Sequence, residues 1–258
     1  MTFALDFTLK THPGLVRPLN EDAVGADPGV GLFLLADGLG GYNAGETAST
    51  MAVSTLLSDL TAALRRAQTE GFDFAPRRVL HDALVEMNQA IYRAALNSAA
   101  FQGMATTIVV AWFLGESLWV AHTGDSRLYR LRGGELAQIT RDHSFSQELL
   151  DAGMVTEEEA RLLPAKNLVT RALGAGAEVE PEVHEYDVAE GDVLLLCSDG
   201  LTEMVGSHEM AGLLNACQPD LAEAARRLID MANEAGGRDN ISVVLVRVLP
   251  SVAGQPSN

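Results

Sequence analysis

Cysteine is scarce in this chain: Cys197 and Cys217 are the only two among 258 residues. A single pairing is too thin a framework to staple a chain of this length, so a packed core must hold it. Basic residues are also short, 18 Lys and Arg against 35 Asp and Glu, for a net charge of −17. So acidic a surface works against nonspecific binding to nucleic acid or anionic membrane, and neither is expected as a partner. A few cations in a cleft could still recognise a phosphorylated substrate. No stretch approaches the roughly 18 apolar residues of a membrane helix. A basic leader is missing too, since Met1-Thr2-Phe3-Ala4-Leu5-Asp6 meets an acid within its first residues. A reducing, cytoplasmic setting is the expectation, with Cys197 acting as a small hydrophobe inside an apolar stretch. The 47% hydrophobic and 21% charged fractions are those of an ordinary globular chain long enough to bury a large core.

What is present is organised around Leu32–Gly41. Its opening Leu-Phe-Leu-Leu-Ala run reads as a short buried strand. It ends on a carboxylate, Asp37, followed at once by Gly38. A carboxylate at the edge of an apolar interior is costly unless a cation or several hydrogen bonds meet it. The device recurs where Leu194–Ser198 runs into Asp199-Gly200, and where Asp239-Asn240 precedes Ile241–Val246. Three apolar strands thus present an Asp at one end, as if aimed at a common point.

Taken in order, Phe3–Thr11 alternates loosely and reads as a half-exposed strand broken by His12-Pro13-Gly14. After the glycine loop, Ala48 to Leu64 and then Leu80 to Ala94 carry apolar residues at helical spacing. From Ala105 the period changes. Thr106–Phe113 and Ser117–Thr123 flank Leu114-Gly115-Glu116, and Arg127–Arg132 and Glu135–Thr140 flank Gly133-Gly134. These read as consecutive hairpins of an antiparallel sheet. Residues 144–164 look like a helical insertion, with Thr156–Glu159 resembling a capping box. Val183–Tyr186 and Val193–Cys197 are strands, Asp220 caps a further helix, and Ile241–Val248 is a last strand. The fold class expected is α+β, two antiparallel sheets sandwiched by helices. One domain over 1–249 is expected, with 250–258 as a frayed tail.

The candidate chemistry lies in acids beside glycine or asparagine: Asp37, Asp199 and Asp239, with Asp125 in Gly124-Asp125-Ser126-Arg127, and Glu21-Asp22 before the early strand. A lone Asp-Gly is usually a turn, but several at the ends of buried strands form a pattern. Two unit charges ~4 Å apart repel by about 4 kcal/mol at an effective dielectric near 20, so converging acids demand cations. Hard oxygen donors without a Cys–His constellation select Mg²⁺ or Mn²⁺ over Zn²⁺.

In their order, Arg17-x-x-Asn20-Glu21-Asp22, Ala36-Asp37-Gly38-x-Gly40-Gly41, Gly124-Asp125-Ser126-Arg127, Thr170–Gly174, Ser198-Asp199-Gly200 and Gly237-x-Asp239-Asn240 resemble the motifs of the metal-dependent protein phosphatases, the type 2C or PPM serine/threonine family, in its bacterial form. The resemblance spans about residues 10–248. It implies a four-layer αββα sandwich, two antiparallel sheets flanked by helix pairs, with two Mn²⁺ or Mg²⁺ ions, and a third in bacterial members, at the sandwich edge. By that resemblance Asp37 bridges both metals, Asp199 and Asp239 hold the first, and the Gly38 carbonyl meets the second. Glu21 and Asp22 hold the second metal's waters, and Asp125 with Asp199 forms the third site. Arg17 grips the substrate phosphate while a metal-bridging hydroxide attacks in line, and residues 144–166 are a flap beside the cleft. The implied partners are phosphorylated proteins, a serine/threonine kinase and its substrates among them, with the chain as a monomer. One position departs: Leu39 stands where some members place a histidine that protonates the leaving group, which leaves the general acid unassigned.

Plainer readings stand beside these. His122, on an apolar strand, reads as a hydrogen-bonded structural residue, Arg171 as a fold brace and Arg127 as a loop-orienting side chain. A catalytically silent pseudophosphatase that binds phosphoproteins predicts a missing ligand position, and none of the main ones is missing. A dinucleotide cradle over 32–45 fails on pattern, because Asn43 occupies the third glycine position and no parallel βαβ unit follows.

Overall fold

The computed structural model describes residues 3–40, 44–71, 74–164, 168–217 and 220–250. Eleven strands form two antiparallel sheets. One takes the order β1 (Ala4–His12), β11 (Ile241–Leu249), β10 (Val193–Cys197), β7 (Arg127–Arg132), β8 (Glu135–Gln138). The other runs β2 (Asp22–Asp27), β3 (Leu32–Leu39), β5 (Ile108–Leu114), β6 (Ser117–Thr123), β9 (Glu182–Asp187), with the short β4 (Ala105–Thr106) on β3.

Side-chain alternation along the strands builds three apolar layers. Leu32, Leu34 and Ala36 of β3 and Ile108, Val110 and Trp112 of β5 pack under the long helices α1 (Ala44–Glu70) and α2 (Pro76–Asn97). Phe33, Leu35, Val109 and Ala111 face the other way, onto Leu194, Leu196, Val244 and Val246 of the partner sheet. The far face of that sheet, through Val193, Leu195, Val243 and Leu245, packs under helices α6 (Ser207–Ala216) and α7 (Leu221–Glu234). The order is therefore helices, sheet, sheet, helices. Strands covered on both faces must be apolar at every position, which is why β3, β10 and β11 read as unbroken hydrophobic runs.

Several boundaries differ from the sequence expectation, each for a physical reason. The hairpins after Ala105 do not share one sheet: β5–β6 belongs to the six-stranded sheet and β7–β8 to the other. The chain switches sheets at Gly124–Ser126. Gly124 has φ +110°, and a Cβ there would lie 2.6 Å from the Thr107 side chain, so only glycine fits the crossing. Strand β3 does not end at Asp37 but continues through Gly38 to Leu39, because β4 pairs with it there. Asp199 opens a one-turn helix, α5 (Asp199–Thr202). Helix α6 is an addition to the sequence expectation, although Met210, Leu213, Leu214 and Cys217 recur at helical spacing and face the sheet. The insertion folds as α3 (Phe145–Asp151) and α4 (Glu157–Leu162), the latter with the anticipated Thr156–Glu159 capping box. Gly41 and Asn43 lie outside the described residues, as does the anticipated tail from 251 onward. Among the described residues no helix is long and apolar enough to cross a membrane.

Candidate metal centre

Antiparallel pairing carries the candidate acids to one edge of the sandwich. In the six-stranded sheet Asp22 lies directly opposite Asp37 in the β2–β3 register. In the other, Cys197 pairs with Val243, so Asp199 just after β10 and Asp239 just before β11 emerge at the same end. A hydrogen bond joins the two sheets there: Ser198 Oγ donates to Asp22 Oδ2 at 2.8 Å. The backbone of Asp37 is pinned by two threonines that sequence reasoning missed. Its N–H donates to Thr107 Oγ1 (3.0 Å), and its carbonyl accepts from Thr106 Oγ1 (2.8 Å) and Thr107 N–H (2.9 Å). Beside it Gly38 sits where a Cβ would fall 2.3 Å from the Gly45 carbonyl oxygen, so α1 can approach β3 only at a glycine.

The electrostatics are those of carboxylates crowded together. Burial, and then the charges of Asp22, Asp199, Asp125 and Asp239, hold the Asp37 carboxyl well above the usual carboxylate range. Burial, and then Asp125, Asp239 and Asp22, push Asp199 up to about 8. Asp22 is raised to about 6 by burial, against hydrogen bonds from Ser242 and Ser198 that favour its charged form. Asp125, on the sheet-switching turn, is raised to about 6 by burial and then by Asp142. Glu21 is also raised by burial, with Arg17 opposing. The charges that raise Asp37 and Asp199 are those of neighbouring carboxylates.

Two oxygens carry the sharpest message. Asp22 Oδ1 and Glu21 Oε1 are buried without any hydrogen-bond partner. A buried acceptor left unpaired costs about 1–3 kcal/mol, and a cation placed among these carboxylates would meet both oxygens. Hard divalent cations meet this all-oxygen set, so the residues present fit Mg²⁺ or Mn²⁺. The cation visible at the site is Arg17, whose Nη2 donates to Asp239 Oδ2 at 2.7 Å. Arg17 is half exposed and lies over the acids from the loop between β1 and β2.

The other candidates separate from this centre. Arg127 grips Asp142 through Nε and Nη2 (2.5–3.0 Å) and donates to the Tyr129 hydroxyl, so it orients loops, as anticipated. His122 Nε2 donates to the Arg141 carbonyl at 2.8 Å. Its ring stacks on His143 with centroids 4.8 Å apart. His143 in turn accepts from Gly124 N–H and lies 3.1 Å from Glu182 Oε1, with Arg171 Nη1 at 3.5 Å. Among the described residues, His122, His143 and Glu182 are the one trio of metal-capable side chains whose ligand atoms all lie within 4.8 Å of one another. No three of the strand-end acids form such a group among the described residues. Ions roughly 3.5–4 Å apart place donors on the outer sides of the pair on the order of 8 Å from each other. Cys197 is buried with its thiol pushed up to about 12, and neither cysteine is paired.

A cleft of about 670 Å³ runs from this edge beneath the insertion. Asp125 and Asp199 line its inner end, and Ser144, Gln147, Asp151 and Glu157 of the insertion line the outer one. An ion pair between Arg141 and Asp151 ties α3 to the end of the β7–β8 hairpin.

Comparison with known proteins gives a consistent result. The family model described as Protein phosphatase 2C matches residues 17–245. The serine/threonine protein phosphatase PstP of Mycobacterium tuberculosis is 40% identical over 99% of the chain, which spans about half, 47%, of that protein's length. Protein phosphatase PhpP of Streptococcus pneumoniae is 38% identical over 94% of this chain and 97% of its own. Among solved structures, the serine/threonine phosphatase of S. agalactiae superposes with a TM-score of 0.85 at 37% identity, covering 95% of this chain and 99% of that one. The catalytic domain of PstP in complex with two manganese ions gives 0.80 at 39% identity, covering 96% and 100%.

Proposed function

The chain belongs to the protein phosphatase 2C family, and from that premise we propose that it is a Mn²⁺- or Mg²⁺-dependent serine/threonine protein phosphatase that hydrolyses phosphoserine and phosphothreonine in proteins. The observation that carries the reading is the edge where Asp22, Asp37, Asp199 and Asp239 converge, with the proton affinities of Asp22, Asp37 and Asp199 raised and two buried oxygens, one on Asp22 and one on Glu21, without a partner. Asp37, the Gly38 carbonyl, Asp199 and Asp239 would hold two ions, with Asp22 and Glu21 acting through water and Asp125 with Asp199 serving a third. When bound, such ions supply an ionised water at neutral pH and neutralise charge on the phosphate.

The chain's own residues do the rest. Arg17 stands at the mouth of the centre with a planar guanidinium suited to two phosphate oxygens at once. A phosphate arriving there exchanges one anionic partner of Arg17, Asp239, for another. The pinned backbone of Asp37 keeps its carboxylate aimed at the ions, and Ser198 keeps Asp22 oriented from the opposite sheet. Water adds to phosphorus as the serine or threonine oxygen leaves in line, giving inorganic phosphate and a free hydroxyl. Leu39 offers no proton, so the proton for the leaving oxygen comes from water and not from the side chain at that position. Residues 1–249 act as one catalytic unit, and 144–166 serve as a flap over the cleft. The phosphoproteins it acts on are those made by serine/threonine kinases. Phosphate release from a phosphothreonine peptide tests the reading. Turnover with Mn²⁺, abolished by chelator and restored by the metal, is expected; no release at any Mn²⁺ concentration overturns it.

A further inference from the structure

The loop that carries Arg17 has almost nothing apolar to hold it. Leu15 and Val16 are 66% exposed and Leu19 is 43% exposed. What ties its two ends together is one buried amide, Asn240, itself 5% exposed. Asn240 Nδ2 donates to the Pro13 carbonyl at 3.0 Å and to the Leu19 carbonyl at 2.8 Å, while Oδ1 accepts from the Glu21 N–H at 2.7 Å. Both side-chain donors and the acceptor are therefore spent on the two ends of the segment that bears Arg17. The Asn240 backbone N–H donates to Asp239 Oδ1 at 2.9 Å, and Arg17 holds Asp239 Oδ2 at 2.7 Å. The loop is pressed close: a Cβ on Gly14 would fall 2.2 Å from the Asp239 carbonyl oxygen. Two further tethers, Leu15 N–H to the Gly237 carbonyl and Asn20 Nδ2 to Thr11 Oγ1 at 2.7 Å, flank Arg17 without reaching it.

We propose that Asn240 is a positioning residue that sets Arg17 over the reaction centre by clamping both ends of its loop to the start of β11. This rests on the reading of Arg17 as the group that meets the substrate phosphate. A primary amide suits the task because it offers two donors to two carbonyls and one acceptor to an N–H in a single plane. Aspartate keeps the acceptor and loses both donors; alanine loses all three.

A double-mutant cycle on Mn²⁺-loaded enzyme with a phosphothreonine peptide tests it. Arg17→Ala is expected to raise KM about tenfold, the loss of one charge-assisted contact. Asn240→Ala is expected to raise KM by about as much, with kcat and the half-saturating Mn²⁺ concentration little changed, and to add almost nothing in the Arg17→Ala background. Full additivity of the two, or a fall in kcat with KM unmoved, overturns the proposal, because a residue that merely braces the fold or supports Asp239 would behave so. Hydrogen exchange reads the same claim without turnover. In Asn240→Asp the hydrogen-bonded amides of Leu15 and Glu21, at the two ends of the loop, should exchange at least ~10-fold faster while those of β10 and β11 stay protected, and unchanged exchange at both overturns it. If wild type released no phosphate, the phosphatase reading would fall while the exchange experiment still judged the clamp.

Discussion

Two polar clusters lie within a short stretch of the same sandwich, and they solve burial in opposite ways. In the trio of His122, His143 and Glu182, donors and acceptors are mixed: the Arg141 carbonyl, the Gly124 N–H and the Glu182 carboxylate engage the two rings and Arg171 adds a cation, with His122 Nδ1 the one ring nitrogen left buried without a partner. In the strand-end cluster Asp22, Asp37, Asp199 and Asp239 are all acceptors, and two oxygens have no partner at all. The trio is the tighter of the two. On the proposed reading, the balance of donors against acceptors rather than proximity marks the metal site. The sharpest way to break the comparison is to neutralise one member of each. Asp37→Asn or Asp239→Asn is expected to cut Mn²⁺-dependent phosphate release by at least ~10³-fold while the folded circular dichroism spectrum is kept. Glu182→Gln should leave kcat within a few-fold and instead lower stability by about 1–2 kcal/mol in urea. Comparable activity loss in both would erase the distinction.

The next largest difference concerns cations themselves. An ion that binds the folded protein alone stabilises it by about 2.7 kcal/mol at a hundred times its dissociation constant. Mn²⁺ should therefore raise the melting temperature of wild type and chelator should lower it. Asp199→Asn should lose most of that increment, and His143→Gln should retain it. A manganese-induced rise that survives Asp199→Asn but vanishes in His143→Gln would move the metal to the trio.

How much of this was legible in sequence follows from which interactions are local. The unbroken apolar runs of β3, β10 and β11 announced strands buried on both faces, and the acids beside them followed directly. The spacing in α1, α2 and α7 gave those helices away. The sheet switch at Gly124 was hidden, because whether two hairpins share a sheet depends on what Thr107 packs against, seventeen residues upstream. Likewise Glu182 gave no signal, since only strand pairing places it opposite His122. Asn240 stood in plain view beside Asp239, yet its three bonds reach residues more than 200 positions away. Residue types that supply chemistry can be picked from a string; the amides and threonines that aim them are chosen by contacts the string does not order.

The smallest expected effect is in pH, where the clusters pull in opposite directions in metal-free protein. Asp199 is raised to about 8 when folded, against roughly 3.9 unfolded. Between those values the unfolded chain has released a proton that the folded one retains, so stability falls as pH rises from about 4 to 8. Asp199→Asn removes that penalty, and its advantage over wild type should grow steadily across this window. His122 is lowered to about 4 by burial, against roughly 6.5 unfolded. Here the unfolded chain takes up the proton first, so stability is lost as pH falls from about 6.5 to 4. His122→Gln keeps a donor for the Arg141 carbonyl and cannot titrate, so its deficit relative to wild type should shrink by on the order of 2 kcal/mol over that interval. Chemical denaturation of the three proteins in chelator at pH 4.5, 6.5 and 8 reads both slopes. Opposite signs mean that one cluster resists taking a proton and the other resists losing one, and only the second kind gains by exchanging its protons for a divalent ion.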